Sequence, residues 1–239
     1  MKLVWITGTS RGLGKALAHQ FLMNGWQVYG IGRAHTIDDD AYHAVYLDLA
    51  DPQAVLAYRF SIPDNPTQVL FIHNAGILGE IAHLGNGKNP QRINETFQVN
   101  LVSATILSNA FLSERKHSNA DFGMLFIGSG AGRTAYDGWA SYCSSKAGIN
   151  MLARCIAAEN KEENSFHIFS IAPGVIDTAM QEEIRGANPS QFSKIERFET
   201  LKREDKLEQP KNVAAKIYRV WEMRIHLNET CIDLRELVY

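Results

Sequence analysis

The 239-residue sequence predicts a single α/β domain, doubly wound around a mostly parallel seven-stranded sheet. Short β-rich runs alternate with longer helical stretches along nearly the whole chain, as in successive strand-helix-strand units. Several of the runs are apolar on both faces, which is how strands buried inside a parallel sheet read. Three glycines crowd the turn behind the first run, in "TGTSRGLG" from Thr7 to Gly14. Glycine loses more backbone freedom on folding than other residues, so such a cluster calls for a local use.

The strands expected in order are Leu3 to Thr7, Gln27 to Ile31, Ala44 to Leu47, Val69 to His73, Met124 to Gly128, His167 to Ala172 and Thr230 to Leu234. Helices are expected near residues 13–24, 51–60, 94–114, 140–162 and 210–226. No internal repeat, low-complexity tract or proline-rich linker divides the chain. The stretch from about Asp177 to Gln209 breaks the rhythm with Gly186, Pro189 and scattered aromatics. A long irregular insertion in a compact domain reads as a lid or binding loop.

Composition narrows the setting. Hydrophobic content of 45% and charged content of 21% fit a globular protein able to bury a large core. A net charge of −2 provides no global basic field for nucleic acid or a membrane surface. No run approaches the roughly 20 apolar residues of a membrane span. Met1 and Lys2 lead directly into a strand pattern without the core and cleavage site of a signal peptide. The three cysteines, Cys143, Cys155 and Cys231, lack metal-ligand spacing, so reduced thiols and a cytoplasmic setting are expected, with no metal.

Two features point to chemistry. The glycine turn follows a strand and opens a helix, where backbone N–H groups at the helix's positive end can approach a pyrophosphate; an ordinary strand-to-helix turn is the other reading. Tyr142 and Lys146 lie four positions apart in a helical run and share a face. A nearby ammonium favours the ionised phenol and should lower its pKa, making a better acid near neutrality. A solvated pair has the same spacing.

These motifs, together with "HNAG" (His73 to Gly76), "VNL" around Asn100, "GSGAG" with Ser129, "YCSSK" (Tyr142 to Lys146) and "PGVIDT" (Pro173 to Thr178), occur in one order. In that order the chain resembles the short-chain dehydrogenase/reductase family over nearly its whole length. The resemblance implies a Rossmann fold. It assigns Tyr142 as proton donor to a substrate carbonyl and Lys146 as its partner and ligand of the nicotinamide ribose. Ser129 would hydrogen-bond the carbonyl and Asn100 would hold a water in a proton relay. Cofactor contacts fall on Gly8, Ser10, Arg11, Gly12, Leu13, Gly14, Arg33, Asp48, Leu49, Asn74, Ala75, Gly76, Pro173, Gly174, Ile176 and Thr178, with Asp48 at the adenine. Helix capping is the other reading at Asp48 and at Thr178. His73 departs from the family's more usual asparagine.

Cofactor choice turns on the end of the second strand. An acid there would bond a ribose 2′-hydroxyl, whereas arginine accommodates a 2′-phosphate. Here Gly32 stands at the acidic position, followed by Arg33, and Arg11 lies inside the glycine turn. Two guanidiniums can hold a phosphate through several charge-assisted bonds, so NADP(H) is the expected cofactor. The segment from Asp177 to Pro210 resembles the branch that holds bacterial benzil reductase and sepiapterin reductase. Met180, Phe192 and Phe198, with Tyr136 and Trp139, are candidates to line an apolar pocket for a flat aromatic ketone or diketone. A pterin side-chain ketone reductase, a non-catalytic cofactor sensor and a structural module remain alternatives. The resemblance implies a homodimer or homotetramer through the long helices.

Overall fold

The computed structural model describes residues 1–115, 120–163 and 165–237. All seven expected strands form: β1 (Lys2–Thr7), β2 (Trp26–Gly32), β3 (Tyr42–Tyr46), β4 (Gln68–His73), β5 (Asp121–Ile127), β6 (Phe166–Ala172) and β7 (Cys231–Asp233). They pair in parallel in the order β3-β2-β1-β4-β5-β6-β7. The winding reverses between β1 and β4. In open α/β sheets ligands bind outside the carboxyl ends of strands at such a switch point.

Strand periodicity explains why both faces are buried. Along β1, Val4 and Ile6 join one core with Leu17, Phe21, Ile217 and Trp221. Leu3 and Trp5 face the opposite core with Phe71, Phe111, Phe122 and Ile149. Successive strand side chains alternate between faces, so an uninterrupted apolar run requires helices on both. Those helices are α1 (Gly12–Met23) and α8 (Pro210–Glu222) on one side, and α4 (Ser103–Arg115) and α5 (Ala140–Glu159) on the other, with α2 (Pro52–Ala57) beside α4.

Two expectations need correction. The helix placed near residues 94–114 is α3 (Pro90–Phe97), a π-helical turn at Gln98–Val102, and α4. Asn89 accepts a bond from the Gln91 N–H at 3.2 Å and Pro90 opens the first turn, a start signal that apolar spacing alone does not reveal. The segment 177–209 is not irregular throughout: it carries α6 (Ala179–Arg185) and α7 (Ile195–Arg203). Their buried residues, Ile184 on α6 and Ile195 and Phe198 on α7, join a third core with Leu78, Trp139, Tyr142 and Phe192. That core stands at the carboxyl end of the sheet. No helix among the described residues is long and apolar enough to cross a membrane.

Candidate active site

The glycine corner is held to the switch point by few bonds at close quarters. Gly8 and Gly12 have φ of +77° and +56°, a region that glycine enters without strain. A Cβ on Gly14 would stand 2.0 Å from the Gly8 carbonyl oxygen, so the first turn of α1 can pack against β1 only without a side chain there. The Asn74 amide donates to the Thr7 and Gly8 carbonyls at 2.9 and 3.3 Å. The Thr7 hydroxyl accepts from the Asn74 and Ala75 N–H groups at 3.0 and 2.9 Å.

These bonds settle what His73 does. With two N–H groups already donating to Thr7 Oγ1, its one hydrogen points to His73 Nδ1, 3.4 Å away. The ring therefore carries its proton on Nε2. Burial, and secondarily Lys146, pushes the imidazole down to about 3, so it is neutral. Histidine at this position thus leaves the Asn74–Gly76 turn anchored through Thr7.

At the other edge, Arg33 follows β2 and its Nη1 lies 3.9 Å from Asp48 Oδ2, with both side chains exposed. Asp48 accepts from the Ala50 N–H at 2.9 Å, while the cap of α2 is Asp51, which accepts from Gln53 and Ala54. Helix capping is therefore not what Asp48 does. Leu49 is buried beside it. Thr9 Oγ1 and His35 Nδ1 each lie 2.7 Å from the Tyr42 hydroxyl, and Thr36 donates to the Ser10 carbonyl at 3.3 Å. These contacts tie the loop after Arg33 to the turn that carries Arg11.

Tyr142 and Lys146 project from the buried face of α5. Lys146 is 4% exposed, and its Nζ donates to the Ile127 carbonyl at 2.8 Å. Burial lowers the ammonium to about 8. The Tyr142 phenol is pushed up to about 12 by burial, against a hydrogen bond with the Ser129 side chain that lowers it. The expected lowering by Lys146 is thus overturned: Nζ sits 5.8 Å from the ring centre and serves a carbonyl, so desolvation dominates. Ser129 follows β5, where its Oγ also accepts from the Ala131 N–H at 3.1 Å.

Asn100 lies in the π-helical turn and is fully buried. Its Oδ1 accepts from the Ile77 N–H at 2.8 Å, and its amide donates to the Ile77 carbonyl at 2.9 Å and Ser145 Oγ at 3.0 Å. The side chain is engaged in bracing the β4 turn against α5.

Behind β6, Gly174 takes φ of +83° in the turn from Pro173 to Ile176. Thr178 occupies the N-cap position of α6 but makes no side-chain cap bond; its Cγ2 lies 3.4 Å from where a Cβ on Gly12 would stand. One cleft of about 1820 Å³ joins these parts. Every residue predicted for catalysis or cofactor contact lines it except Asn100, which sits one layer behind. Its far end is walled by Tyr136, Trp139, Met180, Ile184 and Phe198. Phe192 does not line it: it stacks behind Trp139 at 4.8 Å and is 1% exposed. Arg235 and Leu78 also line the cleft and belong to no sequence motif. Arg235 lies beyond the weak last strand, where no spacing signals a site.

Comparison with known proteins decides the family. The short chain dehydrogenase family model matches residues 2–189. The chain belongs to the short-chain dehydrogenase/reductase family. The (S)-benzoin-forming benzil reductase of Bacillus cereus is 35% identical over 93% of this chain and 94% of its own. The counterpart from Bacillus subtilis (strain 168) is 30% identical over the full length of both. The solved KRED1-Pglu enzyme is 26% identical, with a TM-score of 0.76 over 92% of this chain and 94% of its own. Membership makes this short-chain dehydrogenase an oxidoreductase of a family that uses a nicotinamide cofactor. The residues present fit one: the Gly8–Gly14 turn lines the cleft at the start of α1, where main-chain N–H groups suit a pyrophosphate, and among the described residues Lys146 makes one hydrogen bond with an ammonium that carries three donors.

Proposed function

We propose that the protein is an NADPH-dependent carbonyl reductase acting on an aromatic ketone or diketone. One observation carries the reading. The Ser129–Tyr142 pair lies where the glycine-lined arm of the cleft meets its aromatic arm. The cofactor would lie along Gly8–Gly14, Asn74–Gly76 and Pro173–Thr178, with Asp48 and Leu49 near its adenine and Arg11 and Arg33 at its 2′-phosphate. When bound, it supplies hydride to the carbonyl carbon.

The chain's own residues do the rest. Ser129 Oγ donates to the carbonyl oxygen, and Tyr142 Oη transfers its proton there as negative charge develops. A phenol held near pKa 12 stays protonated at neutral pH and is therefore available as the acid. Lys146, anchored by Ile127, presents its remaining donors toward Gly76, where a Cβ would stand 3.4 Å from Nζ. This direction supports a ribose contact for Lys146. Residues 177–209 act as a lid whose inner face, Met180, Ile184 and Phe198, excludes water. The similarity to benzil reductases supports the diketone class. Cytoplasmic location and assembly through α4 and α5 complete the reading. The test is oxidation of NADPH and of NADH against a panel of aromatic ketones and diketones. No turnover of any member would overturn it.

A further inference from the structure

Arg235 enters the cleft from the end of the sheet, and the proton-transfer machinery does not use it. β7 ends at Asp233, whose side chain is 4% exposed. That carboxylate accepts from Arg235 Nε at 2.9 Å and Nη2 at 2.6 Å, and from its main-chain N–H at 3.1 Å. The bonds fold the arginine back over the carboxyl ends of the strands. Its Cγ and Cδ lie 3.8 Å from where a Cβ on Gly174 would stand. Its Nη2 lies 4.0 Å from the equivalent point on Gly130, the residue after Ser129. The guanidinium therefore stands beside the carbonyl-binding turn with its side chain 54% exposed. Nη1 makes no hydrogen bond among the described residues, so two N–H donors remain.

We propose that Arg235 determines substrate specificity by donating from Nη1 to the second carbonyl oxygen of a vicinal diketone whose first carbonyl is held by Ser129 and Tyr142. The inference rests on the roles given to those two residues above. A vicinal diketone carries its second oxygen one carbon–carbon bond from the first, so an unused donor on a guanidinium that lines the same cleft beside Gly130, next to Ser129, suits that second oxygen. The buried carboxylate already balances the guanidinium, so the arginine offers directed N–H groups rather than net charge. Arg133, the other cation near Asp233, is exposed and donates to the Cys231 carbonyl at 2.7 Å. A neutral second oxygen is accordingly preferred to a carboxylate. A site built to bond a polar group discriminates strongly against an analogue that lacks it, because its own donor is then left unpaired.

The test compares 1-phenylpropane-1,2-dione, propiophenone and phenylglyoxylate as substrates with NADPH. R235K keeps Asp233 paired but loses the outer nitrogen of the fork; D233N/R235L removes both charges and strands no buried carboxylate. In both variants kcat/KM for the diketone should fall about tenfold or more, the worth of one charge-assisted bond. The monoketone and the NADPH dissociation constant should be unchanged. Equal losses for diketone and monoketone, no loss for either, or a wild-type preference for phenylglyoxylate that R235K abolishes would each overturn the assignment. Titration of the diketone by tryptophan fluorescence separates this from the reductase reading. Should the wild type reduce neither ketone, that reading fails, while weaker diketone binding by R235K still supports Arg235 and equal binding refutes it.

Discussion

Burial works on Tyr142 and Lys146 in opposite senses, and both shifts bear on function. The phenol is held neutral, as a general acid requires. Replacing Tyr142 with Phe removes the transferable proton and keeps the ring against Trp139, 5.7 Å away. Turnover should fall about 10²–10⁴-fold, with NADPH affinity retained; near-normal reduction by this variant would remove Tyr142 from the mechanism. Lys146 is the costlier member. Its folded pKa of about 8 lies below the ordinary 10.5, so between these values the unfolded chain binds more protons than the folded one. Stability should therefore rise with pH across that window, by roughly 3 kcal/mol if the whole shift is expressed. Lys146→Met removes the buried charge. Its melting temperature relative to wild type should be higher at pH 7 than at pH 9.5, while cofactor affinity and turnover both fall. A difference independent of pH would show that Lys146 is not desolvated as described. The i, i+4 spacing makes this pair legible in the sequence, but not the direction of the tyrosine shift, because local spacing does not report how far a helix face is buried.

At the scale of elements, legibility follows the strength of the periodic signal. β1 to β6 fall within a few residues of their predicted places because most are short apolar runs on both faces, while the edge strand β3 alternates buried and exposed residues. α3 escapes such a reading because its start is written in a cap and a proline rather than in apolar spacing. α6 and α7 escape it because Gly186 and Pro189 interrupt two short pieces whose apolar residues make sense only against Trp139 and Leu78, remote in sequence. Their connection is clamped at Asp137, which accepts from the Ser193 N–H at 2.7 Å and Oγ at 2.9 Å; the Ser193 N–H bond is the main reason its carboxyl is held below the usual range. Asp137→Ala should loosen this segment over the substrate end alone. The expected outcome is a KM for ketone raised several-fold, about the worth of one or two such bonds, with the NADPH dissociation constant unchanged. Steady-state kinetics and a cofactor titration check it. The glycine corner predicts the reverse pattern. Gly14→Ala drives a methyl into the Gly8 carbonyl, so folding stability should drop by about 1–3 kcal/mol and both cofactors should bind less well. Thermal unfolding together with titrations of NADPH and NADH reads both effects.

For the whole molecule, the reversal of strand order between β1 and β4 makes one cleft out of distant sequence. Thr7, His73 and Asn74 lock the two strand ends, and the one cleft beside them is lined both by the glycine turn and by the aromatic residues. The motifs make the glycine-lined part of the cleft legible because glycines, arginines and the Tyr-Lys spacing are local. The substrate arm collects Leu78, Trp139, Ile184 and Arg235 from four separate segments, and only the fold assembles them. Arg11 and Arg33 line the same stretch of cleft, no acid stands at Gly32, and the ties among Thr9, Tyr42, His35, Ser10 and Thr36 hold their two loops together. If both arginines grip a 2′-phosphate, R11A/R33A should weaken NADPH about tenfold or more for each guanidinium removed, since a hydrogen bond to a charged group contributes about 1.5–3 kcal/mol. NADH lacks that phosphate and should bind the variant almost as it binds the wild type. Because the two guanidiniums are exposed, the wild-type affinity for NADPH should also fall with rising salt, more steeply than that for NADH, and this extra dependence should vanish in the variant. Dissociation constants for both cofactors at two ionic strengths decide the matter, and an unchanged NADPH-to-NADH ratio in the double variant would overturn the assignment of Arg11 and Arg33.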